Sequence, residues 1–259
     1  MTERTIEVDG KKILVRESEG GTESYPTLLL IHGNLGSGRW FEPFLRDYPG
    51  RAFAPDMPNF GQSDHIDDCS IEGYGRWLGA ICDEIGIASA AVLGHSLGGA
   101  VAMELLVQRP AFVSRLILVD SSPIEGLVTP KEYHPAIEAY KSDKAVLAQA
   151  LKGVVPTLSD ERFLALLVED AWKMNRECFI GHAETLGTAD YREKLTRVEI
   201  PVHVLRGELD MLITEHRAAE TAAHFGGEVI TFEGSGHSPM VEQPERFRNT
   251  VEEILGGVV

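Results

Sequence analysis

Long apolar runs are missing from this chain. None approaches the ~20 residues that a helix needs to cross a bilayer, which excludes a helical membrane span. Cysteine is scarce: Cys69, Cys82 and Cys178 are the only three in 259 residues, and no two form a Cys-x-x-Cys pair. Neither a disulfide framework nor a metal site is therefore expected, and the three read as buried thiols in a reducing cytoplasm. Positive charge is also in short supply. Lys and Arg number 24 against 40 Asp and Glu, a net charge of −16. A field of that sign repels nucleic acid and anionic membrane surfaces, so neither is expected as a partner. The N-terminal Met1-Thr2-Glu3-Arg4-Thr5 lacks the basic-then-apolar pattern of a secretory signal, which points to a cytoplasmic protein. Internal repeats and low-complexity segments are absent. What is present is a chain 43% hydrophobic, long enough for one large α/β domain or a core domain with an inserted subdomain.

Strand and helix patterns alternate along most of it. Residues 5–8 and 13–16 flank Asp9-Gly10 and predict a β-hairpin. Residues 27–31 are a continuous apolar run, as in a parallel strand covered on both faces. Further strands are expected at 51–56, 90–93, 115–120, 201–205 and 228–232. Ser70 offers an N-cap to a helix over 71–85 that Gly86 closes. A last helix starts at Pro244 and presents Phe247, Val251 and Leu255 on one face. Strands alternating with helices imply a mostly parallel sheet. Between Ser122 and Val198 the alternation stops. Short helices are expected there over 144–152, from near Ser159, and from Asp190, where Asp190-Tyr191-Arg192-Glu193 has a capping-box-like pattern. The reading is a core domain of residues 1–121 and 199–259, with residues 122–198 as a helical lid over the site.

One motif carries more chemistry than the rest. Gly94-His95-Ser96-Leu97-Gly98 follows an apolar strand and precedes a helix-like run, the setting of a nucleophile elbow. Gly94 and Gly98 lack a Cβ, so the turn can be sharp while strand and helix pack closely. A serine hydroxyl is a poor nucleophile at neutral pH and needs a base, and the base needs a group that fixes its tautomer. Among nine histidines, His237 stands out. It lies in the small-residue loop Gly234-Ser235-Gly236-His237 after the last strand, on the sheet edge where open α/β folds build their sites. Asp210, just after the penultimate strand, is favoured to orient it. Asp120 competes for that role, and is read instead as a cap for the following segment with Ser121 and Ser122. Acyl transfer also needs donors for an oxyanion. The N–H of Leu97, at the start of the helix, supplies one. The N–H of Asn34, in the loop His32-Gly33-Asn34-Leu35-Gly36, supplies the other. His32 is read as a buried residue that shapes this loop.

With these pieces assembled, the chain resembles the α/β-hydrolase superfamily over nearly its whole length. The matching stretches are Ile31-His32-Gly33-Asn34, Asp56-Met57-Pro58-Asn59-Phe60-Gly61-Gln62-Ser63-Asp64, the elbow, Gly207-Glu208-Leu209-Asp210 and Gly236-His237. The fold implied is an eight-stranded, mostly parallel sheet flanked by helices, with the helical lid inserted after the sixth strand. Within the superfamily the chain is similar to serine carboxylesterases and to the N-acyl-homoserine lactonases of this fold, through Ile71-Glu72-Gly73-Tyr74 and Leu93-Gly94-His95-Ser96-Leu97-Gly98-Gly99.

Departures narrow the choice. His32-Gly33-Asn34 is also found in haloalkane dehalogenases, but those use a carboxylate at the elbow, where this chain has Ser96, and a tryptophan where it has Leu97. The menaquinone-pathway synthase of this fold carries an arginine where this chain has Ala100. Carbon–carbon bond hydrolases of aromatic degradation share the triad and lid layout and stand as the alternative, and a ligand receptor on the same fold stands behind them. The expected function is cleavage of a carboxylic ester or lactone of a small-to-medium apolar substrate, without cofactor or metal, by a monomer or homodimer. Trp40, Leu164, Leu167 and Trp172 are the expected apolar lining of the substrate pocket.

Overall fold

A computed structural model describes residues 1–256. The strands are β1 (Thr2–Val8), β2 (Lys11–Glu17), β3 (Leu28–Ile31), β4 (Ala52–Pro55), β5 (Ala90–His95), β6 (Val113–Val119), β7 (Val202–Gly207) and β8 (Val229–Phe232). They form one sheet in the order β1-β2-β4-β3-β5-β6-β7-β8. β1 and β2 are an antiparallel hairpin, β2 pairs antiparallel with β4, and every other pairing is parallel. The helices are α1 (Glu42–Asp47), α2 (Ile71–Glu84), α3 (Leu97–Gln108), α4 (His134–Ala139), α5 (Lys144–Val154), α6 (Glu161–Trp172), α7 (Cys178–Thr188), α8 (Glu215–His224), α9 (Pro239–Glu242) and α10 (Pro244–Ile254).

Side chains alternate across a strand, so a strand covered on both faces must be apolar at every position. β3 does this. Leu29 and Ile31 join a core with residues of α2 and α3, while Leu28 and Leu30 join a second core with residues of α1, α5, α6 and α10. β6 splits in the same way, Leu116 and Leu118 on one side and Ile117 and Val119 on the other. The residues between β6 and β7 cover both faces too. Leu147, Leu151, Leu164 and Leu167 pack on one, and Phe179 and Leu186 of α7 on the other.

Local signals explain several boundaries. Ser70 Oγ accepts from Gly73 N at 3.0 Å and starts α2. Asp160, one residue past the expected Ser159, caps α6 by accepting from the N–H groups of Arg162 and Phe163. The helix expected from Asp190 is not formed. The Asp190 side chain accepts from Arg192 N at 3.0 Å and pairs with the Arg192 guanidinium, a local alternative to helical hydrogen bonding. Helices α4 and α7 are not among the elements expected from the sequence and are found only in the structure.

The cysteine expectation needs correction. Cys69 and Cys178, separated by 109 residues, form a disulfide that joins the segment before α2 to the first residue of α7. Only Cys82 is a buried free thiol, as read from the sequence. Spacing along the chain carries no trace of that pairing, because the packing of α7 beside α2 creates it.

Candidate active site

The Gly-x-Ser-x-Gly stretch forms a sharp turn between β5 and α3. Ser96 has φ 54° and ψ −120°, a strained conformation for a residue with a side chain. The surroundings hold it there. Ser96 N donates to Val119 O at 3.0 Å, and Ser96 O accepts from Gly99 N and Ser122 N at 2.9 and 3.0 Å. A Cβ on Gly94 would collide with the backbone of Gly98, and one on Gly98 with the carbonyls of Ile31 and His32. A Cβ on Gly33 would lie 2.9 Å from Ser96 Cβ, so the loop after β3 passes directly against the serine.

His237 and Asp210 meet at the ends of β7 and β8. His237 Nδ1 donates to Asp210 Oδ2 at 2.8 Å, and the two residues are 5% and 6% exposed. An ionised carboxylate only accepts, so Nδ1 carries a proton, and Nε2 is the ring nitrogen that Asp210 does not engage. Leu212 N also donates to Asp210 Oδ1, and Arg206 ties down the same loop through Ile213 O and Asp210 O. Burial pushes the Asp210 carboxyl up. The charge and hydrogen bond of His237, helped by Asp120 and Leu212 N, outweigh that and hold it below the ordinary carboxylate range. The backbone of His237 is fixed from two sides, by Val154 O at the end of α5, which accepts from its N–H, and by His95.

Asp120 does not cap the segment after β6. Its Oδ1 accepts from Gly207 N at 2.9 Å, and one of its oxygens, one of Asp210 and a His237 ring nitrogen all lie within 4.8 Å of one another. Burial, then the neighbouring negative charge of Asp210, raise the Asp120 carboxyl well above its ordinary value. Two buried carboxyls this close do not both ionise, so Asp120 holds the proton.

His95 is a site residue that the sequence reading passed over. Its Nε2 donates to His237 O at 2.8 Å, and its ring lies 4.9 Å from the His237 ring and stacks on Trp40 at 6.0 Å. Burial, then the charge of His237, push its pKa down to about 3, so it is neutral. The only signal was position: the residue before an elbow serine is tucked under the turn, where a polar side chain must find a partner.

The loop after β3 is built around His32. Its Nδ1 donates to Gly33 O and its Nε2 accepts from Met57 N, which fixes a neutral ring that burial holds near pKa 4. Beneath it, the Asp56 carboxylate accepts from Gly38 N, Gln62 N and the buried Arg16, and so ties this loop to the stretch after β4. The N–H of Leu97 opens α3 and so has no acceptor inside the helix. Neither it nor the N–H of Asn34 makes a hydrogen bond among the described residues, and neither does the Ser96 hydroxyl. Trp40, Leu164 and Leu167 sit in one buried cluster. Trp172 packs half-buried at its margin, between Lys144 and Arg176.

A sheet of this order, with a strained serine at its centre and an Asp–His pair on the same edge, defines an α/β-hydrolase architecture. The chain belongs to the Alpha/beta hydrolase family, whose model matches residues 28–250. It is similar to the sn-1-specific diacylglycerol lipase of Mus musculus, 27% identical over 91% of this chain and 82% of the lipase. It is also similar to Karrikin insensitive 2 receptor IA of Petunia hybrida, 27% identical over 91% of both chains. Among solved structures, a mutant of the N-acyl homoserine lactonase AidH complexed with N-hexanoyl homoserine lactone shares the fold with a TM-score of 0.84. That match is 23% identical and covers 98% of this chain and 97% of the lactonase. No described helix is long and apolar enough to cross a membrane.

Proposed function

We propose that this protein is a serine hydrolase that cleaves a carboxylic ester or lactone through Ser96, His237 and Asp210. The observation that carries the reading is the 2.8 Å bond from His237 Nδ1 to Asp210, which leaves Nε2 free as a base on the sheet edge that presents Ser96. On this reading Nε2 takes the Ser96 proton as Oγ attacks the carbonyl carbon. The N–H groups of Leu97 and Asn34 receive the oxyanion. The imidazolium, stabilised by Asp210, gives its proton to the leaving alkoxide. Water then attacks the acyl-enzyme with the same base, and Ser96 leaves with the proton. Residues 122–198 act as the lid, and Trp40, Leu164, Leu167 and Trp172 supply the apolar surroundings of the acyl group. Matched relatives that are lipases and lactonases support the substrate class.

The test is a fluorophosphonate probe together with short p-nitrophenyl esters and a panel of acyl-homoserine lactones. Labelling at Ser96 is expected, and Ser96→Ala should lower kcat by about 10⁴–10⁶-fold. Undiminished turnover by that variant removes the proposal. The petunia receptor relative favours one second reading, a ligand receptor that keeps the triad. Steady multiple turnover of a simple ester argues against a pure receptor, and a single labelling event without turnover argues for it.

A further inference from the structure

One buried polar chain runs from the segment after β6 into the loop beside Ser96. His182 on α7 is fully buried. Its Nδ1 lies 2.8 Å from Asn34 Oδ1, and its Nε2 lies 2.8 Å from the Tyr74 hydroxyl on α2. The Tyr74 hydroxyl is 3.1 Å from Asn59 Nδ2, which also donates to Asp68 O. Asn59 Oδ1 in turn accepts from Ile66 N and Asn175 Nδ2 at 2.8 and 2.9 Å.

The direction of every bond in this chain follows from its ends. Leu35 N donates to Asn34 Oδ1 at 3.0 Å, so the oxygen of that amide is the atom turned toward His182. An amide oxygen only accepts, so His182 Nδ1 carries a proton. Burial drives the His182 pKa down to about 3, so the ring is neutral and Nε2 accepts. Tyr74 must then donate to Nε2 and accept from Asn59 Nδ2, whose orientation is set independently by Ile66 N and Asp68 O. Nothing in the chain is free to reverse. Two further contacts set the ring itself: it stacks on Phe60 at 4.9 Å with 4° between planes, and the disulfide anchors Cys178, one helical turn before it.

We infer that His182 is a positioning residue for Asn34: by occupying the amide oxygen together with Leu35 N, it turns the Asn34 NH₂ group into a fixed donor for an acceptor oxygen of the substrate. The inference rests on the proposed role of Ser96, beside which this loop passes. Asn34 Oδ1 has its two acceptor positions filled. Its Nδ2 is the one polar group of that side chain left to meet a ligand. The substrate class that fits is a carbonyl compound with an oxygen placed on the loop side of the scissile bond. The seating of α7 and the competence of the site are thereby coupled, because His182 reaches Asn34 only when α7 is docked.

A double-mutant cycle on the rate of fluorophosphonate labelling and on p-nitrophenyl ester turnover tests this. Asn34→Ala, which keeps the backbone N–H, should slow both by about 100-fold, and His182→Phe, which keeps the stacking, by about 10-fold. The double variant should be no slower than Asn34→Ala, because His182 acts through Asn34. His182→Asn, whose amide nitrogen stands in for Nδ1, should recover most of the loss. Tyr74→Phe supplies the same cycle if His182→Phe does not fold. Additive losses, an unaffected Asn34→Ala variant, or no recovery by His182→Asn overturn the inference while Ser96-dependent labelling still stands. Labelling that survives Ser96→Ala removes the proposed function, and this inference with it.

Discussion

The His95 ring donates from Nε2 to the backbone carbonyl of His237, 2.8 Å away, and so ties the residue before the elbow serine to the residue proposed as its base. The two come from strand ends 142 residues apart in sequence. One bond thus sets the relative position of two loops whose side chains must react together.

Its removal should misplace the base. His95→Phe keeps the stacking on Trp40 and loses the donor. A misplacement of about 1 Å costs up to about 100-fold in rate, so kcat on a p-nitrophenyl ester should fall about 10- to 100-fold. His95→Gln restores an N–H donor and should recover part of it. Wild-type turnover by His95→Phe would show that the bond does not position His237.

The two aspartates at the sheet edge should respond differently to the same change. Asp120→Asn retains an acceptor for Gly207 N and an N–H toward Asp210, mimicking the neutral acid that burial enforces. Its kcat should stay within about 10-fold of wild type, whereas Asp210→Asn, which loses the carboxylate facing His237 Nδ1, should cost about 10⁴-fold. Steady-state kinetics of the two variants side by side decide it, and the reverse ranking would exchange their roles.

Asp120 also makes stability depend on pH in a stated direction. Its folded pKa is raised above 3.8, first by burial and then by Asp210. The folded protein therefore keeps a proton that the unfolded chain releases above 3.8. The stability this contributes is whole below 3.8 and is lost as pH rises toward the folded value. Asp120→Asn has no such proton. Its stability relative to wild type should increase with pH above 3.8, by at most about 1.4 kcal/mol per pH unit. Urea melts of both proteins between about pH 4 and about pH 7 measure it, and a constant difference contradicts the assignment of the proton to Asp120.

Helix α6 is docked on the core through Asp170, which is 2% exposed. Its Oδ2 accepts from Ser37 Oγ and Arg39 Nε at 2.9 and 2.7 Å, beside the fully buried Arg16. Asp170→Ala leaves that positive charge under-compensated and should cost about 3 kcal/mol of stability. The urea midpoint of the variant is the measurement. A loss of turnover larger than the loss of stability explains would add that α6 must be seated for the site to work.

Much of the fold is legible in the residues themselves. The unbroken apolar run of β3 requires cover on both faces, and the alternation of such runs with amphipathic helices leaves a parallel sheet as the arrangement that supplies it. Gly94 and Gly98 mark the elbow because no Cβ fits between that turn and its neighbours. Ser96, His237 and Asp210 announce themselves by following strands, since strand ends on one edge are close in any sheet of this kind. Other features have no local signature. That Asp120 is left holding a proton depends on how close packing brings it to Asp210. The joining of Cys69 to Cys178, the bond from His95 to His237 O, and the reach of His182 to Asn34 all lie between residues more than 100 positions apart. Periodicity and spacing report on neighbours along the chain. A buried hydrogen bond is decided by which polar atoms packing brings within 3 Å, and only the folded chain sets that.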